Sequence, residues 1–430
     1  MTGLDRRTLL AGAGAASVAL PLAAVHGATP ARAETRRATV RTGADVLAAD
    51  GWRGLSEGRI GVFTNPTGIL QNGRSIVDEM HESGNVDVVA VFGPEHGFRG
   101  TAQAGESEGD MVDPRTGIMV YDAYGANATS LAAMYREAQV DTVVFDIQDV
   151  GARFYTYIWS MYTAMVAAAD EGVAFTVLDR PNPIGGTPRG PMMTPEYTSG
   201  VGAHEIIQAH GMTVGELARF FNADYLPRNG GATVDELTVV EMEGWRRDML
   251  FEETGLLWVL PSPNMPTPDT ALLYIGTCLF EGTNLSEGRG TTRPFELIGA
   301  PYVDHRWAEW LTARELPGVL FREAYFNPLI SKNAGVINGG VQVHITDPEE
   351  LDAIRVAVEM LIGLKELYPE FQWRYDSWDT ARPYWIDKLT GSPRLRNQID
   401  QGASADTVIS SWKRETAEFA SRRRRHLIYR

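Results

Sequence analysis

From residue 59 onward, short apolar runs alternate with longer stretches in which apolar positions recur at helical spacing. The runs "RIGVFT", "DVVAVF", "DTVVFD" and "AFTVLD" are rich in β-branched and aromatic residues and read as strands. Between them, "RSIVDEMHES", "SLAAMYREA" and "IWSMYTAMVAAADEG" read as helices. This alternation predicts an α/β fold with a Rossmann-like, mainly parallel sheet covered by helices on both faces. A further helix is expected at "MTVGELARFF", where Thr213 and Glu216 supply the T-x-x-E capping signature.

The pattern changes after "WVLPSPNMPTPDTALLY", whose four prolines at 261, 263, 266 and 268 predict a stiff crossover. Beyond it, "GVINGGVQVHIT" reads as a strand. "DPEELDAIRVAVEMLIGLKELYP" reads as a helix with Asp347 as N-cap and Pro348 in its first turn, and "ADTVISSWKRETAEFASRR" as a final helix. At 430 residues with 44% hydrophobic content, the chain is long enough for two domains. The expected division is a Rossmann-like catalytic domain over residues 34–262 and a smaller α+β C-terminal domain over 263–430 that closes a cleft.

Residues 1–33 stand apart. They hold twin arginines, Arg6 and Arg7, an apolar stretch, and Ala31-Arg32-Ala33 as a cleavage pattern, which together predict a twin-arginine export signal. The formal net charge is −16. Removing the signal takes away three arginines and one aspartate, leaving about −18 on the mature chain. Such acidity argues against a nucleic-acid partner, and the basic run Arg422–Arg425 reads as a solvated helix end. Cys278 is the single cysteine, which excludes an intrachain disulfide and a cysteine zinc cluster. No later segment has the length of a membrane span, so the expected product is exported and soluble, outside the cell or in its envelope.

Each expected strand runs into a polar, Gly/Pro-rich segment: "TNPTGI", "GPEHGFRG", "IQDVGARFYTY" and "RPNPIGG". In open parallel sheets the carboxyl ends of strands face the ligand crevice, so these segments are expected to converge on one rim. Glu95, His96 and Arg99 share "GPEHGFRG", and a partly desolvated carboxyl there suits general acid catalysis. Asp146 and Asp149 are acid, base or ligand candidates, while Arg153, Tyr155 and Tyr157 suit sugar or carboxylate contact. A third constellation is the tract "LFEGTNLSEGRGTTRPFELIGAPY" (279–302), with Glu281, Glu287, Arg289 and Arg293 among glycines at 282, 288 and 290 that let a backbone turn or approach a ligand closely. The asparagines of these loops and of the proline segment, Asn65, Asn182, Asn264 and Asn284, complete the expected substrate contacts.

Other chemistries find less support. The acids and His96 lack recognised metal spacings, no G-x-S-x-G elbow follows an expected strand, and the first strand is followed by "TNPTGI" where a dinucleotide fold carries its glycine fingerprint. No metal and no cofactor are expected. What remains is hydrolysis by carboxylates, with aromatics and arginines holding a polar ligand.

At these same motifs, "GVFTNPTGI", "VFGPEHGFRG", "FDIQDVGARFYTYIWSM", "LDRPNPIGG", the 258–302 tract and "WIDKLTGS", the chain resembles the exo-acting β-N-acetylmuramidases of glycoside hydrolase family 171, long catalogued as a domain of unknown function. The resemblance runs from about residue 50 to the C-terminus. It implies release of terminal N-acetylmuramic acid from the non-reducing end of peptidoglycan glycans, in a cleft between a Rossmann-like and a C-terminal domain. It also implies that Glu95, the glutamate of "PEHG", is catalytic. The lactyl carboxylate of muramic acid is then a natural partner for Arg289 or Arg293. A non-catalytic saccharide-binding protein that keeps the cleft is the alternative.

Overall fold

The computed structural model describes residues 39–229 and 231–430, so the expected export signal lies outside the described residues. Ala38–Arg430 forms one compact unit. The strands are β1 (Arg59–Thr64), β2 (Asp87–Gly93), β3 (Met111–Val112), β4 (Met119–Asp122), β5 (Thr142–Asp146), β6 (Ala174–Leu178), β7 (Arg189–Met192), β8 (Ile207–Ala209), β9 (Leu237–Val240), β10 (Leu297–Ala300), β11 (Val319–Phe326) and β12 (Asn338–Ile345).

The main sheet has the order β3-β4-β2-β1-β5-β6-β9. All its pairings are parallel except that of β3 with β4. Side chains alternate across it: Phe63, Phe92 and Phe145 enter one core, while Val62, Val91 and Val144 enter the other. Strand order reverses beside β1, with β2 on one side and β5 on the other, which puts the crevice of an open α/β sheet at the carboxyl ends of these three strands.

The Phe-lined core does not stop at the proline segment. It continues through Phe280, Trp307 and Leu361 to Phe419, and Gly276 lets the helix Pro268–Thr277 pack directly on the Ala353 carbonyl, where a Cβ would lie 1.9 Å from the oxygen. The C-terminal half adds a small antiparallel sheet, β10-β12-β11, with the helix Ala353–Leu367. The main sheet is therefore Rossmann-like, as its pattern predicts, and the C-terminal half is α+β.

Local signals hold unevenly. Thr213 and Glu216 make their capping box, Thr213 Oγ1 accepting from the Glu216 amide at 3.2 Å and Glu216 Oε2 from the Thr213 amide at 3.1 Å. Asp347 is not the helix cap expected of it. Its carboxylate accepts from the Glu349 amide in an isolated turn, and the helix starts at Ala353 with Asp352 as N-cap. Tertiary contacts flank this turn, the Thr346 amide on the Gly318 carbonyl and the Leu351 carbonyl under Arg189. The expected final helix is two, Ala405–Ser410 and Lys413–Arg423, divided at the buried Trp412. Among the described residues, no helix is long and apolar enough to cross a membrane.

Candidate active site

Two cavities adjoin, and the smaller is lined in part by the segments that follow β2 and β5. The smaller, about 180 Å³, is lined by Glu95, His96, Tyr155, Tyr157, Tyr274, Glu281 and Arg289 among others. The larger, about 650 Å³, includes Glu281, Asn284, Glu287, Arg289, Lys332, Trp373, Arg374 and Tyr375. Glu281 and Arg289 line both, so the two cavities meet at this pair.

Glu95 follows β2 in a tight turn. Its Oε1 accepts from the Gly105 amide at 2.8 Å, and its Oε2 carries no hydrogen bond to the described residues. The next residue, His96, holds a left-handed backbone at φ 75°, a conformation that costs free energy outside glycine and collects at functional sites. Its Nδ1 faces the carbonyls of Ala102 and Gln103 at 3.1 and 3.2 Å, which assigns the ring proton to Nδ1. Tyr155 packs edge-to-face on Tyr157 and Tyr274, with ring centroids at 5.4 and 5.7 Å. Tyr157 donates to the Pro261 carbonyl at 2.7 Å, tying the proline segment to the strand-end rim. Burial raises all three phenols above their ordinary range, so they stay neutral hydrogen-bonding groups.

The glycine-rich tract is not a solvated loop. Thr283, Ser286 and Glu287 are buried. Gly288 and Gly290 take left-handed conformations, and a Cβ on Gly290 would meet the Ile330 amide nitrogen at 2.6 Å. Its glycines thus allow approach to the protein's own backbone, seating the 330–333 loop that carries Lys332. Arg289 donates to Glu281 at 2.8 Å, pairs with Glu287 at 3.3 Å and lies over the Phe295 ring. Burial alone would depress its guanidinium, but Glu281 and Glu287 outweigh it and hold the group well above its ordinary value. Lys332 reaches Glu287 at 2.8 Å and donates to the carbonyls of Phe280 and Thr283 at 2.7 and 3.1 Å. Asn284 accepts from Tyr302 and from the Gln372 amide, and donates to Glu370.

Several expected site residues are engaged elsewhere. Asp146 is fully buried in a bidentate ion pair with Arg180. Burial pushes its carboxyl up while Arg180 opposes the shift. Asp149 accepts from the Gly151 amide at 2.7 Å and meets buried His210 at 3.1 Å, so this pair shapes the loop after β5. Arg153 is 0% exposed and donates to the carbonyls of Pro191, Ile206 and Leu389. Burial lowers its guanidinium to about 9, and it is a structural tie, not a substrate contact. Asn182 closes a turn through Ile184 and Met212. Asn65 closes another with Thr67.

With Arg99, Asn65 lines a separate cavity of about 350 Å³, in which Arg99 is occupied by Asp78 and Asp113 at 2.9 Å each. Asn264 is buried in the proline segment. Arg293 is exposed and pairs with Glu296 at 3.4 Å, outside both site cavities. Cys278 is buried, and its thiol is raised by that burial.

Lys332, Trp373, Arg374 and Tyr375 were not among the expected residues. A signal existed in "FQWRYDSW", an aromatic and cationic run without helical or strand periodicity. Among the described residues, no cluster of three or more histidine, cysteine or acidic side chains is fit to hold a metal ion.

Residues 60–269 match the family described as "Exo-beta-N-acetylmuramidase NamZ, N-terminal", and residues 272–429 match its C-terminal counterpart. The chain belongs to the exo-β-N-acetylmuramidase NamZ family. A peptidoglycan β-N-acetylmuramidase NamZ from Bacillus subtilis is 44% identical over 397 residues, covering 92% of each chain. Two crystal structures of DUF1343 family proteins from Bacteroides fragilis are also similar. One has a TM-score of 0.80 at 33% identity and the other 0.71 at 29%, each covering 91% of this chain and 99% of its own. Residues of both NamZ segments, Glu95 and Tyr155 from the first and Glu281 and Arg289 from the second, line the smaller cavity.

Proposed function

We propose that the protein is an exo-acting β-N-acetylmuramidase that releases terminal N-acetylmuramic acid from the non-reducing end of peptidoglycan glycans. Family membership supports the reaction class. The observation that carries the assignment of residues is that Glu95 and Glu281 line one cavity, because glycoside hydrolysis needs two carboxyl groups flanking the scissile bond. Glu95 protonates the departing glycosidic oxygen. One of its oxygens is fixed by the Gly105 amide, which leaves the other to carry the proton. Glu281, ion-paired with Arg289, stabilises positive charge developing on the sugar ring. The tyrosines wall the cavity and exclude water from the reacting centre.

The cleft is taken to lie between a Rossmann-like domain over 34–262 and a C-terminal domain over 263–430. The twin-arginine segment delivers the protein to the polymer outside the cytoplasm. The test is turnover of a chromogenic β-N-acetylmuraminide by the wild type and by Glu95→Gln. Gln keeps the shape but cannot donate the proton, so turnover drops about 10²–10⁴-fold with the fold intact. An aryl glycoside with a good leaving group needs less protonation and suffers less than a natural disaccharide. A variant that cleaves the disaccharide at the wild-type rate removes Glu95 from the role of acid.

A further inference from the structure

The larger cavity presents three cations, and they differ in what is left for a ligand. Arg289 is held between Glu281 and Glu287. Lys332 spends its ammonium on Glu287 and two carbonyls. Arg374 uses only Nε, which donates to Asp376 at 2.9 Å, and neither of its Nη groups has a hydrogen-bond partner among the described residues. Its guanidinium lies 4.5 Å from the centre of the Trp385 ring. Its backbone is pinned on both sides, the amide to Gly282 at 2.8 Å and the carbonyl under the Trp385 amide at 3.2 Å.

A guanidinium stacked on one face, anchored at Nε and open at both Nη atoms is preorganised for a planar oxyanion, since two parallel N–H donors match the two oxygens of a carboxylate. Trp373 and Tyr375 flank Arg374 in sequence and line the same cavity. They offer flat apolar surface to a sugar ring beside the charged group. Glu281 and Arg289 line both this cavity and the smaller one that holds Glu95, so a ligand on Arg374 adjoins the reacting centre.

Resting on the muramidase reading, we propose that Arg374 is the carboxylate-recognising residue of the site and selects substrates that carry an acidic substituent on the sugar. It takes the role that the sequence suggested for Arg289 or Arg293. The carboxylate has two sources, the free lactyl group or a peptide attached to it.

The experiment compares kcat/KM of the wild type, Arg374→Gln and Arg374→Lys on three aryl β-N-acetylmuraminides. One has a free lactyl carboxylate, one a neutral lactyl carboxamide, and one a lactyl group amidated by an alanyl-glutamate dipeptide. A charge-assisted bidentate contact of ordinary strength corresponds to about 10–100-fold. Arg374→Gln should therefore lose that factor on the free-lactyl substrate, chiefly through KM, while the carboxamide changes by less than about threefold on the same scale. Arg374→Lys, which keeps charge without the fork, should fall between. A loss confined to the dipeptide substrate supports the same subsite and assigns it to the peptide carboxylates. Equal loss on all three substrates, or no loss on either acidic one, overturns the proposal. A wild type inactive on all three defeats the muramidase reading itself, whereas a wild type active on all three with no discrimination by the variants defeats the subsite alone.

Discussion

Replacing Asp146 with asparagine separates a structural carboxylate from a catalytic one. Asp146 sits at the end of β5, where sequence reasoning expects an acid of the site, yet its side chain is 0% exposed and Arg180 opposite it only 6%. Two charge-assisted bonds join them, and the Arg180 guanidinium has one other acceptor among the described residues, the Ile69 carbonyl at 2.9 Å. Removing one partner of a buried pair costs about 3–5 kcal/mol, because the surviving charge is left without compensation. Asparagine keeps one acceptor oxygen, so Asp146→Asn belongs near the lower end and Asp146→Ala near the upper. For a folded unit the size of Ala38–Arg430, unfolding entropy is roughly 0.8 kcal/mol per degree, which converts these costs to a Tm drop of about 4–6 °C. Calorimetry gives the drop, and kcat measured well below the transition gives the chemistry. The expected result is a lower Tm with kcat within about threefold of wild type, far from the loss that removal of a catalytic acid or base brings. A variant with wild-type Tm and a hundredfold lower kcat would refute the structural assignment.

Two further outcomes follow from the same geometry. Burial raises the Asp179 carboxyl to about 7 against hydrogen bonds from Tyr429, Gly215 and Thr213. A raised folded-state value means its contribution to stability is full below the unfolded value and is lost as pH rises through about 7. Unfolding free energy should fall with pH by up to about 1.4 kcal/mol per unit between roughly pH 4 and 7 from this group, as denaturant titrations will show, and Asp179→Asn should flatten the slope; an unchanged slope speaks against it. Activity on a muramyl glycoside should survive EDTA, since the proposed chemistry runs on carboxyl groups; loss that a divalent ion restores would reverse that view.

The sequence by itself determined the main sheet and the rim. Parallel strands covered on both faces must be apolar almost throughout, so "RIGVFT", "DTVVFD" and "AFTVLD" carry their assignment locally. A strand that ends in a polar Gly/Pro segment puts that segment at the crevice whatever the rest of the chain does. Glu95, Tyr155 and Tyr157 were legible for this reason. Tertiary structure alone decided which rim residues face a cavity. Asp146 and Arg153 have the same local signature as a catalytic acid and a substrate clamp, but Arg180 lies 34 residues from the first, and the Leu389 carbonyl 236 residues from the second. No local pattern announces such partners. The meeting of Glu95 with Glu281, and the presence of Lys332 and Arg374 beside them, likewise depend on a core that runs unbroken from the sheet into the C-terminal helices. A buried charge is satisfied by whatever the fold brings to it, and which charge is left open to a ligand is settled only when every other one has found its partner.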